Sequence, residues 1–516
     1  MNLFTSYIHL YCFGLAFLIL ALTIGRLLFN HKGVLHSEHL ILGYSLVIAI
    51  YAILKTEGVT IAWLILLWLG IYKYWNQKDD IDVSTELDKI SNNLLVIWIL
   101  WSIIFVLKVM HFWNFEYDSP NLHFKDYPYY MKLAEGFNLY GIENGLGHLN
   151  LFLPDNKFLQ PYRSNDLWLT SFGLDFTKFD TVFIWELFYG PILLTLVAYT
   201  IFKTLEFKSF KVRNHIFVVL ALFLFAGGWF RSLINLIAPS SLSDSLDPIG
   251  IVSYPKLCLV FVICFIFYHR LLKGRTQSAL FWLTLTPVFI QSTLAIFPIV
   301  LLLSLIFFVD YRKKMIVVQN NFLPFIFTLL LITCSFVITY LISSTIEKNT
   351  FEFMVSDITN FRDLADLMIS FIKKIILFLI SYYWLTLILA GSLLFFLKRS
   401  NLKWKFSAYI IISFLVSLAT YSFFKNIGDA YQFSTNVLMP FLFSLIIFLS
   451  LSSDKIVKYY TLRQILFSLF AFYSFYQVFG QSNAFHSTQK IKRYSPLFIN
   501  EMKYELSQLE YEYGVY

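Results

Sequence analysis

Three charged side chains interrupt runs that are otherwise apolar enough for lipid: Glu186, Arg231 and Lys256. A charge inside a membrane helix is costly, so such residues face a cavity or a partner. The three fall at similar depth, just below the same membrane face. An acid among cations suits two chemistries. One is an Arg/Glu pair that fixes helix packing, with the Lys reaching the interface on its long stem. The other is an anion site, with the cations gripping the phosphate of a lipid head group. The loop between the Arg231 and Lys256 runs, Ser243-Asp244-Ser245-Leu246-Asp247-Pro248, adds Asp244 and Asp247 to the same neighbourhood.

Above them lies the longest polar interruption of the chain, residues 114–180. Asp126-Tyr127-Pro128 has the form of a helix start, because Asp caps free backbone N–H groups and Pro is tolerated in the first turn. Tyr130, Leu133, Phe137 and Tyr140 recur at helical spacing, and Gly141 can end the helix. The pattern predicts a short amphipathic helix on the membrane surface. Asp126 is then a cap, and also a candidate general base or metal-binding carboxylate at the lip of a membrane cavity. Gly141 to His148 is glycine-rich and carries Glu143 and His148. Pro161-Tyr162-Arg163 opens a second short helix with Asn165 or Asp166 as its cap, and Arg163 can pair with a phosphate or a local acid.

These residues need a membrane scaffold, and composition supplies one. The 516 residues are 58% hydrophobic and only 14% charged, with mean hydropathy +0.67. Soluble domains carry about 25% charge. Apolar runs of span length make the chain all-α and polytopic rather than a β-barrel. The spans are expected at about 5–29, 39–55, 58–75, 93–113, 181–203, 215–238, 250–272, 278–309, 322–344, 374–397, 405–424, 437–452 and 462–480. The run 278–309 contains Pro287 and Pro298 and has basic clusters on both flanks. It should be a hairpin of two short helices, giving roughly 14 membrane helices. The first run lacks the flanks of a cleaved leader and is expected to stay as a helix.

Basic clusters at 208–213, 269–275, 312–314, 398–405 and 455–463 fall on one side in one alternation. That side is cytoplasmic by the positive-inside rule. The chain then divides into a four-helix segment (1–113), an external loop with amphipathic helices (114–180), a main helix bundle (181–480) and a tail (481–516). The +8 net charge is scattered over helix ends, so it is no nucleic-acid signal. Cys12, Cys258, Cys264 and Cys334 lie in apolar runs, unlike a disulfide framework. His31, His36 and His39 lack a partner acid or thiol for metal. No phosphate-binding or dinucleotide-binding glycine motif is present.

The runs Asp-Tyr-Pro-Tyr-Tyr at 126–130 and Pro-Tyr-Arg-Ser-Asn-Asp-Leu-Trp at 161–168 resemble the external loop of bacterial GT-C-type polytopic glycosyltransferases. In that class the acidic loop follows the first span; here it follows the fourth. The resemblance implies a glycosyltransferase of the bacterial cytoplasmic (inner) membrane. Its donor would be a polyprenyl-phosphate-linked sugar, its acceptor a glycan or lipid, and membrane lipid its surroundings. Asp126 would be the acid, acting as base or holding a divalent metal, with the cofactor otherwise open. Arg163, Arg231 or Lys256 would hold phosphate, and Glu143, His148, Asp166, Glu186, Asp244 and Asp247 would complete the substrate site. Two other readings stand beside it: an O-antigen polymerase or ligase-like protein, and a transporter or flippase of lipid-linked saccharides.

Overall fold

The computed structural model describes residues 3–29, 36–56, 60–76, 87–114, 119–120, 127–141, 143, 164–206, 255–310, 317–318, 322–343 and 400–423, with scattered positions between 365 and 448. They are helical apart from turns and two short ladders. Trp113–Asn114 (β1) pairs with Ser119–Pro120 (β2), and Val309–Asp310 (β3) with Val317–Val318 (β4), both antiparallel.

The helices are α1 (Leu3–Phe29), α2 (His36–Lys55), α3 (Ala62–Asn76), α4 (Leu87–Phe112), α5 (Tyr127–Tyr140) and α6 (Ser164–Thr177). Next comes α7, built from Thr181–Ile184, a π-turn Trp185–Tyr189 and Gly190–Glu206. A 3₁₀ turn at Pro255–Leu257 leads into α8 (Cys258–Leu272). Then follow α9 (Thr276–Leu283), α10 (Thr286–Phe289), α11 (Ile296–Phe308), α12 (Phe322–Ser343) and α13 (Ser400–Phe423). Among the described residues, six helices are long and apolar enough to cross a membrane: Thr5–Phe29, Ser37–Lys55, Asn92–Val109, Thr181–Thr204, Phe322–Thr339 and Leu402–Thr420. The protein is a polytopic helical membrane protein. The expected spans 215–238 and 462–480 lie outside the described residues, as do most of 374–397 and half of 437–452.

Between helices in lipid, close packing replaces the hydrophobic drive. The tightest crossing joins α1 to α2. A Cβ on Gly25 would overlap the His39 carbonyl oxygen, and one on Gly43 would overlap that of Ala21. Only glycine lets these backbones meet. Deeper in the bundle, Trp68 of α3 stacks on Phe281 of α9 at 4.7 Å and donates to Thr284 Oγ1 at 3.0 Å.

The proline-bearing run 276–308 is broken as its sequence dictates. Pro287 and Pro298 each fall in the first turn of a helix, α10 and α11, where the missing N–H costs little. Lys405 Nζ donates to Thr276 Oγ1 at 2.7 Å and sits 5.2 Å over the Phe307 ring. One lysine thus touches the start and the end of the run, which therefore folds back on itself.

At the end of the bundle bearing the α8–α9 turn, four helices are riveted together. Arg270 of α8 donates through Nε to Glu38 Oε1 of α2 at 2.8 Å and through Nη2 to Glu38 Oε2. Nη2 also reaches Tyr72 Oη of α3 at 3.1 Å, and Nη1 reaches Ser278 Oγ of α9 at 2.7 Å. Tyr72 donates to Glu38 at 3.1 Å. Glu38 and Arg270 are both buried.

Candidate functional site

At the opposite end of the bundle, α6 does not lie flat over the helices as part of a surface cover. Asn165 Nδ2 of α6 donates to Tyr44 Oη of α2 at 2.7 Å, and Lys55 Nζ of α2 donates to Asp175 of α6 at 2.8 Å. Tyr44 and Lys55 are about 16 Å apart along α2. Helix α6 therefore runs alongside α2, with its first turn level with the middle of that helix. The reason is its polar side chains, which find partners between helices rather than in water. Ser171 Oγ lies 3.0 Å from Tyr51 Oη, and Tyr51 donates to Asp175 at 2.7 Å. Burial works against the Asp175 charge, but the Lys55, Tyr51 and Asn138 donors hold its pKa below the usual range.

Helix α5 crosses α6. Asn138 donates to the Ser171 carbonyl at 3.1 Å, Phe137 meets Trp168 at 5.0 Å, and Tyr130 stacks on Trp185 at 6.2 Å. It begins at Tyr127, where Asp-Tyr-Pro places a start, and ends at Gly141, whose φ of 62° is the left-handed cap that glycine accepts. Helix α6 starts at Ser164, so Asn165 and Asp166 sit inside its first turn. Their side chains face other helices instead of capping their own: the expected cap at Asn165 or Asp166 is replaced by bonds to Tyr44 and to Tyr189.

This insertion builds a buried polar cluster. Tyr189 Oη donates to Asp166 Oδ2 at 3.0 Å. Three residues before Tyr189 on the π-turn, Glu186 Oε2 accepts from Lys108 Nζ of α4 at 2.9 Å. Lys108, Asp166 and Glu186 expose 4%, 1% and 1% of their surface, too little for water to solvate the charges. Cys258, at the head of α8, is within electrostatic reach of both Asp166 and Lys108. Lys256, on the 3₁₀ turn just before it, is buried. The π-turn adds one residue to the helical turn, a deformation that recurs at functional sites. Gly190 follows it, and a Cβ there would meet Lys108 Cε at 3.3 Å. Glu186 Oε1 and Asn165 Oδ1 are buried and make no hydrogen bond among the described residues.

Of the residues singled out from sequence, Asp166, Glu186 and Lys256 fall at this cluster or beside it. The partner of Glu186 is Lys108, which is also a charge in an apolar run and could have been found by that signal. Tyr44 and Tyr189 could not, because a tyrosine inside a span gives no signal of its own. Glu143 lies elsewhere. Its Oε1 accepts from Thr60 Oγ1 and, at 2.5 Å, from Trp168 Nε1; its Oε2 accepts from the Ile61 N–H at 2.7 Å. Burial pushes its pKa up to about 7, against the pull of the Thr60, Ile61 and Trp168 donors. Asp126, His148, Arg163, Arg231, Asp244 and Asp247 lie outside the described residues.

Compared with protein-family models, curated proteins and solved structures, the chain matches none of them.

Proposed function

We propose that the protein is a GT-C-like membrane glycosyltransferase. It would transfer a sugar from a polyprenyl-phosphate donor to a glycan or lipid acceptor at the outer face of a bacterial cytoplasmic membrane. The reading includes the spans at 215–238, 374–397, 437–452 and 462–480, for roughly 14 in all. One observation carries it: α6, in the segment that also bears Asp126, descends into the bundle beside the buried Lys108, Glu186 and Asp166. A buried polar cluster at the head of the spans is where a lipid-borne donor from the bilayer and a hydroxyl acceptor from water would meet.

In this reading Asp126 takes the proton of the acceptor hydroxyl. The acceptor oxygen bonds to the sugar carbon, the bond from that carbon to the phosphate oxygen breaks, and polyprenyl phosphate leaves. Lys256, with Arg163 and Arg231, offsets the charge that grows on the departing phosphate. Lys108, held by Glu186, adds a second buried ammonium. Among the described residues no three His, Cys, Asp or Glu side chains gather to hold a metal.

The test is transfer by the purified protein in lipid vesicles from a panel of radiolabelled polyprenyl-phosphate sugars. Asp126→Asn should abolish transfer while the variant still inserts and elutes as the wild type does. Full activity in that variant removes Asp126 from the mechanism. Passage of intact lipid-linked saccharide across the vesicle, with no new glycosidic bond, replaces the transferase with the carrier reading.

A further inference from the structure

Glu143 holds a position unlike that of the other described acids. Its carboxyl bridges two separate pieces of chain: Thr60 and Ile61 in the turn leading to α3, and Trp168 in the first half of α6. Two residues earlier, Gly141 presses on the end of α2 so closely that a Cβ would overlap the Lys55 carbonyl oxygen. Backbone contact and carboxyl bridge together pin the end of α5 to the α2–α3 turn.

We propose that Glu143 is a positioning residue, a proton-sensitive catch that locks the α5–α6 pair onto the turn between α2 and α3. The catch stands on geometry and does not need the transferase reading. Among the described side chains, the charges on the packed elements have partners of their own; Glu57 of the turn and Lys132 of α5 lie outside them. On α2 and α6, Lys55 pairs with Asp175, to which Tyr51 also donates. Asp166 of α6 accepts from Tyr189, and Glu135 of α5 accepts from Thr181. Residues 62–69, the start of α3, hold no titratable side chain. Among the described residues no charge therefore compensates Glu143, and burial governs its proton.

The sign follows from linkage. When the segment is released, the carboxyl meets water and titrates near 4.5; when docked, it titrates near 7. Below about 4.5 both forms hold the proton and docking is at full strength. Between the two values the released form ionises first, and docking weakens about tenfold per pH unit. Above about 7 both are ionised and the dependence levels off. The whole change spans between about two and three orders of magnitude.

Hydrogen exchange read by mass spectrometry, on the full chain in nanodiscs from pH 5 to 8, tests this. Peptides covering 58–64 and 137–146 report the opening equilibrium once intrinsic exchange is divided out. The wild type should open about tenfold more per unit up to about pH 7 and then plateau. Glu143→Gln should be flat across the range. Trp168→Phe keeps the carboxyl but loses a donor that favours its charge, so its rise should continue above pH 7. A flat wild-type profile overturns the proposal, and so does an unchanged slope in Glu143→Gln. If Glu143→Gln fails to insert, a Trp168→Phe plateau at the wild-type pH overturns it instead. None of these readouts requires sugar transfer, so the catch stands or falls on them even in a protein without transferase activity.

Discussion

Two buried ion pairs, one toward each end of the bundle, serve opposite ends. At the α8–α9 turn, Arg270 commits Nε, Nη1 and Nη2 to Glu38, Ser278 and Tyr72, and both Glu38 oxygens are taken. At the π-turn, Lys108 holds one oxygen of Glu186, while the other has no hydrogen-bond partner among the described residues. Both pairs carry the desolvation penalty of burial. The first offsets it with a rivet across four helices. The second keeps hydrogen-bonding capacity open, on a deformed turn beside Asp166. A saturated pair has nothing left to offer a ligand; an unsaturated one does.

Breaking the rivet should have the largest effect. Arg270→Ala leaves Glu38 charged and buried, at a cost of about 3–5 kcal/mol, read as lost folded yield and an early unfolding midpoint in detergent. Replacing both partners sharpens the contrast. Glu38→Met with Arg270→Met should recover most of that stability, since apolar replacement of a buried pair is often neutral, and, on the proposed transferase function, should leave transfer in place. Lys108→Met with Glu186→Met should be as well folded by the same thermal measurement and yet lose activity. Equal activity in the two double variants would make both pairs structural. A smaller effect is expected from Tyr189→Phe, which removes one hydrogen bond to Asp166 and costs about 1 kcal/mol in thermal stability. The smallest is Gly190→Ala. Its methyl pushes on Lys108 Cε from 3.3 Å, a displacement of a few tenths of an ångström that the flexible lysine stem absorbs. Folding should be unchanged and turnover modestly lowered; unchanged turnover would show that the ammonium position is not critical.

The two pairs also mark where sequence patterns stop being informative. Helices that depend on local pattern are legible: 5–29 is matched by Leu3–Phe29, 322–344 by Phe322–Ser343, and α5 starts and stops where Asp-Tyr-Pro and Gly141 place it. The break at Pro287 is legible too, because proline acts on its own neighbours. The pairs are not. Lys108 and Glu186 are 78 residues apart, and Glu38 and Arg270 are 232 apart. Nothing in an apolar run says which distant charge will face it, so Arg231 looks as good a partner for Glu186 as Lys108 does, and Glu38 looks like an ordinary helix-end acid. The depth of α6 is hidden for the same reason. Its Asn, Asp, Thr and Ser residues look like a water-facing stripe until Tyr44, Tyr51 and Tyr189 are brought up to meet them.

The π-turn at Trp185–Tyr189 has a further consequence, in the language of insertions and deletions. A π-turn is an α-helix with one residue too many, and each residue of a regular helix turns the chain by about 100°. Removing one residue from this turn, Leu187 for example, would leave α7 apolar and span-length. The turn would relax to a regular α-helix, leaving both flanks close to their present register and re-aiming only the side chains within the turn. The rest of α7 would keep its neighbours, while Glu186, which lies on the turn itself, would be drawn away from Lys108. A single codon thus separates a membrane helix that holds a charged site from one that merely crosses.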